Sequence, residues 1–383
     1  MNNKRRIYFS VLVAAAWLIA LASTAAAGRG TAATASTARD ALVTFSGINN
    51  HGQIVGTLIT KSSVEHGFVW RNGSVKLLGA EADEINERGE ILGYAAYSKA
   101  RGPLRPVLWE HGKTRRLGLH DVGSLNNRGQ VLGYAGRISV PCPPASGQSG
   151  CYQRHPALWT NGRIRLLPFS PDGNVAMNDL GQVVGQTTGG DAAEWQDGTL
   201  TDLGPGDPIA INDRGQILGS RDREVIVWQN GIATDIGTGT PVAINERGQV
   251  TWFGAPQKGD QLHTRLWPGD ATPDLGGFQG DHLSDRGQIV GSTGDNNVQW
   301  WVWQDGTMTR LPKPRGYGGY DQVWAVAIND HNQIVGQVCS SDCLRSPRKE
   351  FVVIWTLKGN KVETRRLGIR QFRRALNPKG RRA

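Results

Sequence analysis

A ten-residue pattern, Ile-Asn-x-x-Gly-Gln-x-x-Gly with its flanks, recurs eight times and constrains the chain more than any other feature. It reads GINNHGQIVG from Gly47, EINERGEILG from Glu84, SLNNRGQVLG from Ser124, AMNDLGQVVG from Ala176, AINDRGQILG from Ala210, AINERGQVTW from Ala243, HLSDRGQIVG from His282 and AINDHNQIVG from Ala327. From Asn49 to Asn329 this gives seven intervals over 280 residues, a mean of 40. A fixed period of this length means one supersecondary unit stacked repeatedly against its own copies.

Each copy is followed by an apolar triplet ending in tryptophan and then a short turn, as in FVWRNG, VLWEHG and IVWQNG. The eight tryptophans are Trp70, Trp109, Trp159, Trp195, Trp228, Trp267, Trp303 and Trp355. One unit therefore reads as four short strands. Strand a runs up to the Asn of the pattern, b starts after its Gln, c ends at the Trp, and d follows. The a–b connection carries glycine where a hairpin loop needs positive φ, and Asn-Gly or Asp-Gly between c and d is a strong hairpin signal. In strand c the residues on both faces are mostly apolar, so both faces of each small sheet are buried. Small sheets buried on both faces, repeated at this period, predict an all-β chain: a β-propeller of about eight four-stranded antiparallel blades, with seven blades as the alternative.

The expected organisation is a signal peptide over 1–27, a linker over 28–39, the propeller over 40–370 and a basic C-terminal tail over 371–383. The signal reading rests on Lys4, Arg5 and Arg6, an apolar run from Ile7 to Ala22, and small residues ending at Ala25 to Ala27. It implies a secreted, extracellular protein with no transmembrane segment after cleavage.

The formal net charge of +10 resolves into two ends. The signal holds three basic residues, and nine basic residues against Glu363 lie in 361–383, which leaves a nearly neutral body. The high charge is thus a property of the tail. It suits screened attraction to an anionic cell-surface polymer rather than specific nucleic-acid recognition.

These repeats resemble the secreted HAF-repeat proteins, whose unit carries His-Ala-Phe-Leu-Trp-x-x-Gly and then Ile-Asn-x-x-Gly-Gln-x-x-Gly. The matching stretches are HGFVWRNG from His66, HPALWTNG from His155 and, less well, HTRLWPGD from His263, together with all eight turns. The resemblance implies an exported repeat protein and brings no catalytic residues with it. In the other units Arg105, Asp191, Glu224, Gln299 and Phe351 replace the histidine, so no repeated metal site is expected.

No catalytic motif stands out: there is no Gly-x-Ser-x-Gly, no His-Glu-x-x-His, no phosphate loop and no Cys-x-x-Cys. The turn acids Glu87, Asp179, Asp213, Glu246, Asp285 and Asp330 lack the alternating oxygens of a calcium loop and read as scaffold. Neither metal nor cofactor is expected. Cys142 with Cys151, and Cys339 with Cys343, bracket short b–c loops and read as local disulfides in an exported chain.

Because strands alternate in direction, the a–b and c–d turns share one face of the ring. The b–c and d–a loops, which vary in length, share the other. Variable loops on a rigid ring make a binding surface. The loop PRGYGGYDQVW, 314–324, offers Tyr317, Tyr320 and Trp324 as candidate ligand-binding aromatics, whereas Trp252 and Trp300 read as local packing. The functional expectation is a non-enzymatic exported binding module for a glycan, peptide or cell-surface partner. The alternative is an exported hydrolase or lyase with a dispersed site in the channel, which titratable groups converging there would favour.

Overall fold

The computed structural model describes residues 42–376, apart from 61–63, 80, 97–103, 141–150, 255–262, 269–274, 276, 294–297, 315–321, 340–349 and 360. The signal and linker segments lie outside the described residues. Apart from one C-terminal helix, the described elements are antiparallel strands. They form a β-propeller in which each unit's strands pair in the order a-b-c-d.

The described strands make seven hydrogen-bonded sheets, six of four strands and one of six. The expectation of eight separate blades is therefore corrected to its alternative of seven. The cause lies between the fifth and sixth repeats. A single strand, Ile232–Ile244, pairs through its first half with strand c of unit five and through its second half with strand b of unit six. Gly237 and Gly239, with φ of 139° and 152°, sit at the change-over, a backbone conformation that glycine reaches without a Cβ penalty. Eight repeat units are thus carried on seven sheets.

Each junction between consecutive units has its own apolar core. The first two share Val55, Leu78 and Ile91, the third and fourth share Leu132, Leu158, Val183 and Trp195, and units eight and one share Val335, Val352, Phe45 and Phe68. Of the repeat tryptophans, Trp70, Trp159, Trp195, Trp228 and Trp355 are buried, while Trp109, Trp267 and Trp303 are half-buried. At four junctions a cation of strand d covers the tryptophan of the next unit. Lys76 lies 4.6 Å from the Trp109 ring centroid, Arg115 5.7 Å from Trp159, Arg165 5.4 Å from Trp195, and Arg365 5.4 Å from Trp70.

The glycine that ends each Gln-Ile-x-Gly is explained by a bulge in strand a, present for example between Phe45 and Gly47 and between Pro208 and Ala210. The bulge brings a strand-a carbonyl under strand b. A Cβ at Gly56 would collide with Thr44 O, and one at Gly336 with Trp324 O. Unit six departs, with Trp252 in that place. Trp252 is 1% exposed, and it fits because Gly237 and Gly239 pass beside its ring. Trp300 is buried as well.

The turns close the ring. Asn212 is representative: its Oδ1 accepts Arg214 N (3.1 Å) and Gln216 N (3.0 Å), and its Nδ2 donates to Gln216 Oε1 (2.8 Å) and to Asn245 O of the next unit (2.9 Å). The same cross-unit donation runs from Asn49, Asn86, Asn126, Asn178 and Asn245, and Asn329 returns it to Asn49 O at 3.0 Å. Unit seven has Ser284 instead, whose side chain is too short to reach across. There Asn332, which replaces the turn glycine at φ 62°, offers Oδ1 to Arg286 and to Gln288, each at 3.2 Å. The two departures from the repeat compensate at one junction.

No strand is exchanged between the two ends of the chain among the described residues. The ring is latched instead by Asn50 and Asp330, which exchange two hydrogen bonds of 2.8 and 2.9 Å, and by the helix Ile369–Leu376. Phe372 is fully buried edge-on to Phe68, with centroids 4.9 Å apart, and Trp70 Nε1 donates to Gln371 Oε1. The basic tail expected from 371 accordingly begins inside a docked helix, because an apolar face there has a core to enter.

Candidate functional site

Strand a is the innermost strand of each unit, so the residues leading into it border the loop-bearing mouth of the channel. In unit two this segment is Glu81-Ala82-Asp83-Glu84, held to strand b by Glu81 N donating to Tyr94 O (2.7 Å) and Asp83 N to Leu92 O (2.9 Å). Burial raises all three acids. Glu81 is pushed up to about 8, helped by a hydrogen bond with Glu65 and the charges of Glu65 and Asp83. Asp83 rises to about 6 through burial alone. Burial also raises Glu84 to about 8, opposed by the Leu125 N–H that its Oε2 accepts at 3.0 Å. Such groups are proton carriers near neutral pH.

Unit three adds partners to the same mouth. Tyr94 donates its hydroxyl to Asp121 Oδ1 at 2.5 Å, and Arg105 Nη1 lies 3.4 Å from His120 Nδ1. Burial, then Asp121, raises the Tyr94 hydroxyl, so at neutral pH it is a hydrogen-bond donor and not a base. Tyr134 shifts the same way, through burial and the charges of Asp121 and Asp172. In unit seven, Asp281 is the unpaired residue of the strand-a bulge and burial raises it to about 6. Burial lowers His282 to about 4, against a hydrogen bond to the Ala325 backbone.

Of the aromatics expected to bind ligand, Tyr317 and Tyr320 lie outside the described residues. Trp324 is in strand a of unit eight, Gln322–Ile328, partly buried against the core shared with unit seven. It stands five residues before its turn Asn329, as Glu81, Asp121 and Asp207 stand before Asn86, Asn126 and Asn212. Cys142 and Cys343 also lie outside the described residues. Cys151 opens strand c of unit three and Cys339 closes strand b of unit eight, both at loop-bearing ends.

The opposite mouth is built from the turn acids. Each accepts the backbone N–H of the unit before it: Glu87 from Asn50, Asp179 from Asn127, Asp213 from Asp179, Glu246 from Asp213, Asp285 from Glu246 and Asp330 from Asp285. Asn127 and Asn50 Oδ1 supply the remaining two acceptors. These carboxylates are structural. Among the described residues no group of three or more His, Cys, Asp or Glu is arranged to hold a metal ion. His66, His155 and His263 are half-buried in units one, three and six, far apart in the ring.

The mouth cluster was not anticipated from the sequence. Its one signal is that Asp83-Glu84 and Asp281-His282 interrupt a register otherwise filled by small or apolar residues such as Val175-Ala176, Ile209-Ala210 and Val326-Ala327.

No protein-family model matches the chain, and no curated protein does, so nothing beyond the motifs themselves supports the HAF-repeat family. Solved structures do resemble it. The β-propeller domain of the Trilobed protease from Pyrococcus furiosus aligns with a TM-score of 0.49 at 10% identity, over 85% of this chain and 97% of that one. An ulvan lyase of a new polysaccharide lyase family gives 0.39 at 9% identity over 85% and 96%. The SapL1 lectin, in complex with alpha methyl fucoside, gives 0.29 at 11% identity over 86% and 96%. These likenesses concern the fold alone.

Proposed function

We propose that this propeller is an exported binding module whose loop-bearing mouth recognises a polyhydroxylated, glycan-type ligand. The observation that carries this reading is the cluster of Glu65, Glu81, Asp83, Tyr94 and Asp121 at the mouth between units one and three. Glu81, pushed up to about 8, and the Tyr94 hydroxyl present donors beside the acceptor oxygens of the neighbouring carboxyls, a mixed set that suits hydroxyl groups. Trp324, at the same register in unit eight, supplies an apolar face of the kind on which a sugar ring packs. Tyr317 and Tyr320 extend that surface in this proposal, and the disulfides Cys142 to Cys151 and Cys339 to Cys343 hold neighbouring loops. Export rests on the layout of residues 1–27, and the basic residues beyond 376 add attraction to anionic cell-surface polymer. The test is a glycan array with the mature protein, repeated with the double variant Tyr94→Phe, Asp121→Asn. A glycan hit that the double variant loses while retaining its melting temperature supports the reading, and no glycan hit, or an unchanged one, overturns it.

A second reading, a hydrolase or lyase with a dispersed site, is favoured by the same cluster because Tyr94 with Asp121 and Arg105 with His120 stand side by side. Glu81, pushed up to about 8 and so carrying its proton near neutral pH, would then serve as proton donor, with Tyr94 as a hydrogen-bond donor beside it. Incubating the array hits with the protein decides it: released or unsaturated sugar products support the enzyme, and intact ligand excludes it.

A further inference from the structure

The junction between units four and five is wired differently from its neighbours. In units one, two, three and eight the strand-d residue opposite the position before the tryptophan is Lys76, Arg115, Arg165 or Arg365, the cation that covers the next tryptophan. In unit four that residue is Thr201, paired with Glu194. Glu194 is itself an exception. The equivalent position, one before the tryptophan, is Val69, Leu108, Leu158, Val227, Leu266, Val302 and Ile354 in the other units. This junction therefore lacks the solvent-facing cation that covers a tryptophan elsewhere, as unit five does with Thr234 opposite Val227, and it has in addition gained a carboxylate. Its apolar core sets the small Ala192 and Val184 with Trp228.

A cavity of about 240 Å³ lies at that place. Glu194, Thr201, Asp213, Trp228 and Gln229 line it, with Arg214 also on its wall. Trp228 is wholly shielded from solvent, its Nε1 donating to Leu203 O (3.1 Å), so it forms a fixed inner wall. Gln182 donates to Glu194 Oε1 at 2.7 Å and holds that carboxylate, while Asp213 is held by the Asp179 N–H at 2.7 Å. Two fixed carboxylates against one guanidinium leave the lining net negative. The second cavity, about 260 Å³ between units seven and eight, also stands where Thr309 replaces the cation, yet Val302 there keeps the apolar residue. A missing cation alone leaves a space. A missing cation together with an added carboxylate leaves a space of the complementary charge.

We propose that this cavity binds a guanidinium or alkylammonium group from outside the chain, an arginine side chain of a peptide partner, which takes the place that Arg115 and Arg165 fill elsewhere. A guanidinium fits because it is planar, weakly hydrated, and able to fork onto a carboxylate. The site opens on the turn-bearing face, away from the channel mouth, and stands independently of the glycan reading.

The probe is N-acetyl-arginine N-methylamide, with the norleucine analogue as the uncharged control, titrated while the indole N–H resonance of Trp228 is followed by NMR after assignment with Trp228→Phe. The wild-type protein is expected to show a saturable shift with the arginine probe only. Thr201→Arg, which supplies the cation from within, is expected to abolish it. Glu194→Gln keeps the shape and is expected to weaken binding at least about tenfold, as removal of one partner of a held charge pair does. Absence of a saturable shift, an equal response to norleucine, or undiminished affinity in Thr201→Arg overturns the proposal. Should Thr201→Arg fail to fold, Glu194→Gln decides alone: unchanged affinity refutes the site.

Discussion

Replacing Asn212 by alanine is the most direct test of the turn as a scaffold. Asn212 is 2% exposed and its side chain makes four hydrogen bonds of 2.8 to 3.1 Å, one of them to Asn245 O in the next unit. Each such bond contributes about 1 kcal/mol net, and a buried donor or acceptor left without a partner costs about 1 to 3. The alanine variant strands the N–H groups of Arg214 and Gln216 and removes the cross-unit bond, leaving Asn245 O with the Gly248 N–H alone (2.9 Å). The loss is therefore about 3 to 5 kcal/mol. Serine separates the two roles. At unit seven Ser284 Oγ still accepts Arg286 N (3.3 Å) and Gln288 N (3.2 Å) but reaches no other unit. Asn212→Ser should thus retain the two contacts within the turn and lose the cross-unit one, at about 1 to 2 kcal/mol. Asn212→Asp keeps the acceptors but sets a charge against Asn245 O and Gln216 Oε1, so it should fall near alanine. Urea unfolding followed by tryptophan fluorescence ranks the three. An alanine variant within about 1 kcal/mol of wild type, or a serine variant as unstable as alanine, would refute the ring as a source of stability.

Trp355→Ala, at a wholly buried ring whose Nε1 donates to Pro312 O, should cost about 3 to 5 kcal/mol by urea unfolding. Phe372→Ala should cost a similar amount, about 3 to 5 kcal/mol, and should raise proteolysis of the first unit, since the helix covers Phe68 and Trp70. Glu84 has a folded value near 8 against an ordinary 4.5, so the folded state holds its proton more tightly. Wild-type stability should therefore fall relative to Glu84→Gln by up to about 1.4 kcal/mol per pH unit between pH 4.5 and 8 and run parallel above that, as melting curves across pH will read. His282, lowered to about 4, acts in the other direction: its contribution is lost as pH falls from 6.5 through 4, and His282→Gln should remove that acid sensitivity. Peptide mapping of the exported protein without reductant should recover Cys142 joined to Cys151 and Cys339 joined to Cys343.

The repeat was legible because its cause is local and repeated. Asn212, Gly215 and Gln216 each meet a demand that the same turn makes in every unit, so the pattern survives in a single sequence. Sheet number was less legible. Whether strand d of unit five ends before strand a of unit six begins depends on Gly237 and Gly239, which look like a turn in sequence and act as a bend within one strand. The docked helix was hidden for a related reason: Phe372 and Leu376 stand in a run of arginines, and their apolar face has meaning only beside Phe68. The mouth cluster was the least visible. Glu65, Tyr94 and Asp121 belong to three different units and meet only through the curvature of the ring.

Among the described residues no strand is exchanged to close the ring, which puts an unusual demand on the junction between units eight and one. Elsewhere the covalent chain links neighbouring units, whereas here side chains alone must do so. The structure concentrates contacts accordingly. This junction has the Asn329 to Asn49 bond, the reciprocal pair of Asn50 and Asp330, the Arg365 cation over Trp70, an aromatic trio of Phe45, Phe68 and Phe372, and the Gln371 bond to Trp70. No other junction recruits a helix among the described residues. Such a junction opens first if the helix is removed, because the side-chain contacts that close the ring are lost together while the chain-linked junctions keep theirs. Loosening should then show as hydrogen exchange in strands a and b of unit one, Leu42–Ile48 and Ile54–Ile59, before it reaches units three to five.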